Sequence, residues 1–498
     1  MKGVLRCIYI LACVAMLAAC KKDFDGTAKP NTAPETHLVA DTIVRQGDNR
    51  FTSQVRVQWW GTDADGFVTG YEYRINNSAW QATKKQDSVF TLIIPTNSDT
   101  FDFDFEVRTI DNNGNADASP ARLFFPVKNS APTVNFYVSS AVPSRTPVRS
   151  FPAIRYTWQA GDLDGDISLD SFEICFNDTN GPFTKIAPGI RDILVVGKNL
   201  TGSITDCDIY LGSNQTPWNR TIGGLKLNDS NKLYIRAIDK TGSKSSFTAS
   251  YTLFVRKPQG DILVVNAIES QFLRASVQNF YLTALASATS KPYDLMMATE
   301  RNGNNYTELS PDPFTQAQIF GFFKRILWFS DDTEASLGLL QKSSSVFFDK
   351  GGRMMVVSAA NDNLPTDPAY LDFTPIKSYL PVTNKDAFLM QQNDSLLPVS
   401  GAWPILRTPN FLTGIRPYEL PIDNNLYAYS VLYNGRITRE NNSVVSPWTG
   451  TSTLVSKRVR KSDNKTDFII SVVPMHLFNG LSNFNAFMGQ AINTELEF

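Results

Sequence analysis

A short stretch of alternating apolar and polar residues ending in tryptophan, followed at once by an Asp-x-Asp-Gly turn, occurs twice in this chain. The first copy reads Val55-Arg56-Val57-Gln58-Trp59-Trp60, then Asp63-Ala64-Asp65-Gly66, then Gly70-Tyr71-Glu72-Tyr73-Arg74. The second reads Ile154-Arg155-Tyr156-Thr157-Trp158, then Asp162-Leu163-Asp164-Gly165, then Phe172-Glu173-Ile174-Cys175. Each closes on a further run of the same kind, ending at Asp111 before Asn113-Gly114-Asn115 and at Asp239 before Thr241-Gly242-Ser243. A period of two turns one set of side chains to a core and the other to solvent, so these are short strands. Asp supplies side-chain to backbone bonds at the turns, and Gly supplies a positive φ. Strands of this length between such turns predict antiparallel sandwiches, with a tryptophan plugging the space between the sheets of each.

The shared tryptophan and Asp-x-Asp-Gly stretch, with the closing Val/Ile-Arg-x-x-Asp run, resembles fibronectin type III and immunoglobulin-like modules. The resemblance implies one module over 34–127 and a second over 131–256. The second is longer between its turn and its closing strand, and the extra residues are placed between Asn177 and Asn228. A binding loop or a decorated hairpin without a ligand would both account for them. The second turn raises the question of calcium, because Asp162, Asp164 and Asp166 offer three oxygen ligands close together. Counting twelve positions from Asp162, as a calcium loop requires, lands on Glu173, which belongs to a predicted strand. Turn chemistry explains the cluster without metal, and no metal site is expected.

The amino terminus reads as a targeting signal. Lys2 and Arg6 precede an apolar run from Cys7 to Ala19, shorter than the about 20 residues a membrane-spanning helix needs. Residues 1–19 are therefore expected to be removed. Leu17-Ala18-Ala19-Cys20 resembles the lipobox of bacterial lipoproteins, which implies lipidation of Cys20. An ordinary signal peptide with an incidental cysteine is the alternative. Lys21-Lys22-Asp23-Phe24-Asp25 resembles the export signal of Bacteroidetes surface lipoproteins. The two resemblances imply a chain held by its lipid on the outer membrane, facing the cell exterior, with residues 20–33 as a flexible tether. Of five cysteines only Cys175 and Cys207 then remain, as a disulfide or as two buried thiols. A net charge of −1 offers no field for nucleic acid, and two histidines, His37 and His476, exclude a histidine-rich metal or catalytic centre.

Beyond Lys257-Pro258-Gln259-Gly260 the pattern changes. Ile262-Leu263-Val264-Val265, Arg325 to Ser330 and Arg353 to Ser358 are continuous apolar runs of the kind buried on both faces in parallel sheets. Helical spacing lies between them, at Gln278 to Ala288 and at Leu337, Leu340 and Phe347, with Asp331-Asp332-Thr333 as a helix cap. This alternation predicts an α/β domain over 260–498 with an open parallel sheet, flavodoxin-like in class, so that the whole is two β-sandwiches followed by an α/β fold.

With Trp328-Phe329-Ser330-Asp331-Asp332, Gly351-Gly352-Arg353 and Ile470-Ser471-Val472-Val473-Pro474, this domain resembles the class I glutamine amidotransferases. The family's nucleophilic cysteine would stand after the strand ending at Ser358, where this chain has Ser358-Ala359-Ala360. Its histidine has a counterpart in His476, but the acid two residues on is Phe478. The resemblance therefore implies a degenerate, non-catalytic domain. The enzyme alternative is a serine hydrolase using Ser358 and His476, against which His476 in an apolar stretch reads as a packed core residue. No cofactor is implied. The expected role is binding of a protein or glycan ligand, or envelope assembly. A glycan-binding accessory lipoprotein would display aromatics such as Trp80 or Trp218.

Overall fold

The computed structural model describes residues 29–40, 54–92, 94–95, 98, 100–137, 147–298, 301–302, 305–306, 308, 310, 312–331, 338, 340–359, 371–383 and 386–498. Residues 1–19, Cys20 and the Lys21–Asp25 run lie outside them. Two compact units result, one holding residues up to Ser130 with Leu163–Ser168 and Lys240–Ser243, the other Ala131–Asp162, Leu169–Asp239 and Lys244–Phe498.

In the first unit, strands Glu35–Ala40, Gln54–Thr62 and Asp87–Thr91 form one sheet. Gln81–Thr83, Val68–Ile75, Thr100–Asp111 and Ala121–Lys128 form the other. Three strands facing four is the arrangement of a fibronectin type III-like sandwich, as the repeat predicts. Val55, Val57 and Trp59 are buried while Arg56, Gln58 and Trp60 are exposed, so the alternation reads through to the core. Residues just ahead of the first strand are held against the turns. Asn31 donates to Asp111 Oδ2 at 2.5 Å, Thr32 N to Asp65 Oδ2 at 3.0 Å, and Thr36 is buried, because these residues satisfy the turn carboxylates.

The second sandwich repeats the plan with Trp158 as its plug, 2% exposed. The extra residues are a hairpin, Ile204–Leu211 with Thr221–Lys226, added to the edge of the sheet that also holds Asp192–Gly197, Ala153–Gly161 and Thr133–Phe136. The inner face of this sheet carries Ile154, Tyr156, Ile193 and Val195. Its outer face carries Phe151, Ala153, Leu194, Val196 and Tyr210, which belong to the core of the α/β domain. Tyr210 meets Phe314 and Phe151 meets Phe323 edge-on, at 5.4 and 5.0 Å between centroids. A buried ionic seam lies at the same junction. Arg256 bridges Asp294 at 3.2 Å and Glu308 at 2.7 Å, and Arg149 reaches Glu308 at 2.6 Å.

In the α/β domain, five strands run parallel in the order Tyr293–Met297, Ile262–Ala267, Arg325–Ser330, Arg353–Ser358, Lys465–Ser471. Helices cover both faces. Trp328 and Phe329 are neighbours on one strand and so point to opposite sides. Trp328 meets Phe320 of helix Pro313–Phe320, and Phe329 stacks on Tyr281 of helix Gln271–Ala288. The purely parallel expectation needs correction. Beyond Lys465–Ser471 the sheet continues antiparallel through Thr453–Arg460, Tyr427–Gly435, Ser395–Pro398 and Leu406–Arg407, making nine strands. These strands are joined by hairpins and loops, which only antiparallel pairing permits. Among the described residues no helix is long and apolar enough to cross a membrane.

Candidate functional site

In an open sheet of this strand order, ligands bind outside the carboxyl ends of the strands, where the order reverses. Here that point lies between Ile262–Ala267 and Arg325–Ser330, whose last residues Ala267 and Ser330 are paired. Asp331 stands directly on it. Its carboxylate accepts from the backbone amides of Glu269 at 2.7 Å and Ser270 at 3.0 Å, in the turn that enters helix Gln271–Ala288. Asp331 thus caps this turn; Asp332 and Thr333, the rest of the predicted cap, lie outside the described residues.

Ser358 ends the next strand and is paired with Ser330. In a parallel register, paired residues share a face, and Ser330 follows Phe329. Ser330 and Ser358 therefore point to the side of Trp328 and helix Pro313–Phe320. The Ser358 hydroxyl is fully buried and finds no hydrogen-bond partner among the described residues. His476 lies in the turn Met475–Leu477 after the last parallel strand, and its ring meets Phe280 and Tyr281 of helix Gln271–Ala288 at 6.3 and 6.2 Å. That helix covers the other face. Burial lowers the imidazole pKa, and the charge of Asp331 works against it. A serine nucleophile needs its base within about 3 Å. Strand parity turns Ser358 toward one face, while the His476 ring packs on the helix of the other.

Cys175 and Cys207 are buried free thiols. On strand Leu169–Phe176 the core takes Phe172, Ile174 and Phe176, so Cys175 points outward, whereas Cys207 is part of the core itself. The disulfide reading is corrected by this parity. Burial pushes the Cys175 thiol up to about 11, and raises Cys207 further. In the chain of residues 21–498, a thiol reagent should therefore find neither cysteine within minutes in the native state and two after denaturation without reductant. Finding none after denaturation would reinstate the disulfide.

Asp164 is buried and accepts from Ser130 N at 2.7 Å, and Asp166 opens the short turn Asp166–Ser168. Glu173, the twelfth position counted from Asp162, is paired with Arg236 at 2.7 Å on its strand. Among the described residues no three His, Cys, Asp or Glu side chains converge as a metal site.

The two candidate tryptophans differ. Trp80 is stacked against the guanidinium groups of Arg74 and Arg108, at 4.5 and 4.3 Å from its ring. Those arginines are held by Glu106 and Glu72. Trp80 is thus engaged in a cation–π stack on its own sheet, as Trp218 is with Arg220, 5.2 Å from its ring. Trp218 lies in the loop of the added hairpin and lines a concavity of about 510 Å³ with Leu211, Asn214, Gln215, Thr216, Pro217 and Asn219. The amide residues of this loop were not singled out by motif. Their signal is compositional, a run from Ser213 to Asn219 in which every side chain but that of Pro217 can hydrogen-bond and none is charged.

No family model matches this chain, and no curated protein matches it. Solved structures similar to it are sandwich modules. A two-module fibronectin type III segment from chicken tenascin shares 8% identity, covers 45% of this chain and 100% of its own, and gives a TM-score of 0.23. The fibronectin(III)-like modules of Clostridium thermocellum CbhA share 12% identity, cover 44% of this chain and 94% of their own, and give 0.17. The PKD1 domain of a Vibrio cholerae metalloprotease, PrtV, shares 13%, covers 20% of this chain and 99% of its own, and gives 0.15. The sandwich assignment itself rests on the strand order described above.

Proposed function

We propose that this protein is a lipid-anchored binding protein of the outer membrane, exposed on the cell surface, whose α/β domain is a scaffold and not a catalyst. The anchor is supported by the lipobox-like run ending at Cys20 and the Lys21–Asp25 stretch behind it. The scaffold reading is supported above all by strand parity, which turns Ser358 to the Trp328 side, whereas the His476 ring packs on the helix of the Phe329 side. Asp331 supports it by engaging the amides at the crevice where a small ligand of this sheet class would sit. The degenerate amidotransferase-like origin of the domain belongs to the same reading. It explains why the parallel strands are kept while the cysteine and the acid are not.

Two measurements test the two halves. Mass spectrometry of the native protein should show a chain beginning at Cys20 with the mass of attached acyl chains; an intact Met1 or an unmodified Cys20 would remove the anchor. A fluorophosphonate probe, which labels activated serines, should leave Ser358 unlabelled. Stoichiometric labelling of Ser358 that disappears in His476→Gln would make the domain a hydrolase.

A further inference from the structure

From the loop of the added hairpin we infer a binding site for an uncharged carbohydrate, centred on Trp218; the inference rests on the reading of this chain as a binding protein. The first sandwich has no such hairpin; here the hairpin strands add Cys207, Ile209, Ile222 and Leu225 to the core, while Asn214, Gln215, Thr216 and Asn219 of its loop stay exposed. The hairpin is nevertheless fixed in place. Gly212 N donates to Asp192 O at 3.1 Å, and Gly212 O accepts from Arg155 Nη1 at 3.1 Å. Trp218 N donates to Ile209 O at 2.6 Å, and Asn214 N to Leu211 O at 3.1 Å. A loop tied at both ends meets a ligand without first losing much conformational freedom.

What the loop offers is chemically narrow. Asn214, Gln215, Thr216 and Asn219 are exposed, and Trp218 is half-buried against the sandwich core. Each amide carries both donors and an acceptor, which suits hydroxyl groups that are themselves both. An indole offers an apolar face to the C–H side of a sugar ring while keeping one polar edge. No residue from Leu211 to Asn219 is charged. Arg220 stacks on the indole at 5.2 Å but does not line the concavity. Nucleotides, phosphates and acidic peptides find no counter-charge on that lining, whereas a neutral polyhydroxylated chain finds amides and one aromatic surface. A volume of about 510 Å³ accommodates a short segment of such a chain.

Native affinity electrophoresis of residues 21–498 tests this in gels containing dextran, mannan, xylan or starch, with alginate and heparin as anionic comparators. Retardation is expected in at least one neutral polysaccharide. Trp218→Ala should weaken it tenfold or more. Asn214→Ala with Gln215→Ala, both solvent-exposed and outside the core, should weaken it at least threefold with an unchanged thermal midpoint. No retardation in any neutral gel overturns the inference, as does retardation by the anionic polymers alone or equal retardation of the loop variants. None of these outcomes touches the probe and mass measurements, which judge the scaffold and the anchor separately.

Discussion

Arg256→Ala is expected to lower the stability of the second unit by about 3–5 kcal/mol, the scale on which removing one partner strands a buried charge. The guanidinium bonds Asp294, Glu308 and the carbonyl of Leu295, and lies 4.7 Å from the ring of Phe151. Asp294 and Glu308 are almost wholly inaccessible, at 1% each. Glu308 retains Arg149, but Asp294 loses its ion-pair partner. Burial already holds the Asp294 carboxyl above the usual range, with Arg256 and the amides of Gln259 and Gly260 opposing it. Without Arg256 it rises further. A carboxyl that binds its proton more tightly folded than unfolded favours the folded state as pH falls through its folded pKa. The deficit against the parent should thus shrink between pH 7 and pH 5. Urea titrations at both values measure it; a loss under 1 kcal/mol, or one that grows on acidification, would mean the seam is not what joins sandwich and α/β domain.

Trp59→Ala should cost the first unit about 3–5 kcal/mol, as large aromatic truncations in cores do. Trp59 is 1% exposed and packs against Tyr71, Tyr73, Phe90 and Phe105, with ring centroids 6.1–6.5 Å away. Its indole nitrogen has no hydrogen-bond partner among the described residues, so the loss is one of packing. A sandwich of about 100 residues holds only about 5–15 kcal/mol in total. Limited proteolysis with mass mapping should accordingly show cuts within 54–128 at protease levels that leave 147–298 whole. Trp60→Ala, on the exposed side of the same strand, should stay within about 0.5 kcal/mol of the parent. Equal effects of the two substitutions would show that the strand's register is not the one described.

The sandwiches were legible because their strands have one wet face, so that Val55, Val57 and Trp59 announce a core by skipping Arg56 and Gln58. The same rule already contained the answer on the cysteines, since Phe172, Ile174 and Phe176 leave Cys175 on the other parity. Ile193-Leu194-Val195-Val196 breaks the alternation, and that break is the signature of a sheet covered twice, here by the α/β domain. The antiparallel extension of the larger sheet was harder to read. Strands as short as Leu406–Arg407 carry no period, and their pairing is decided by distant partners. Whether Ser358 meets His476 depends on which helix covers which face, a long-range fact that local spacing does not encode. The Trp218 loop lacks a motif altogether; its polar, uncharged composition becomes informative only once the hairpin holds it in a concave shape.

Asp331 has a consequence for competition. A carboxylate tethered beside two amides acts at an effective local concentration that a freely dissolved anion reaches only at millimolar levels or above. Any phosphate or carboxylate ligand approaching that crevice must first displace a group that never diffuses away. Selection for an anionic ligand on those two amides would therefore have to begin by losing Asp331.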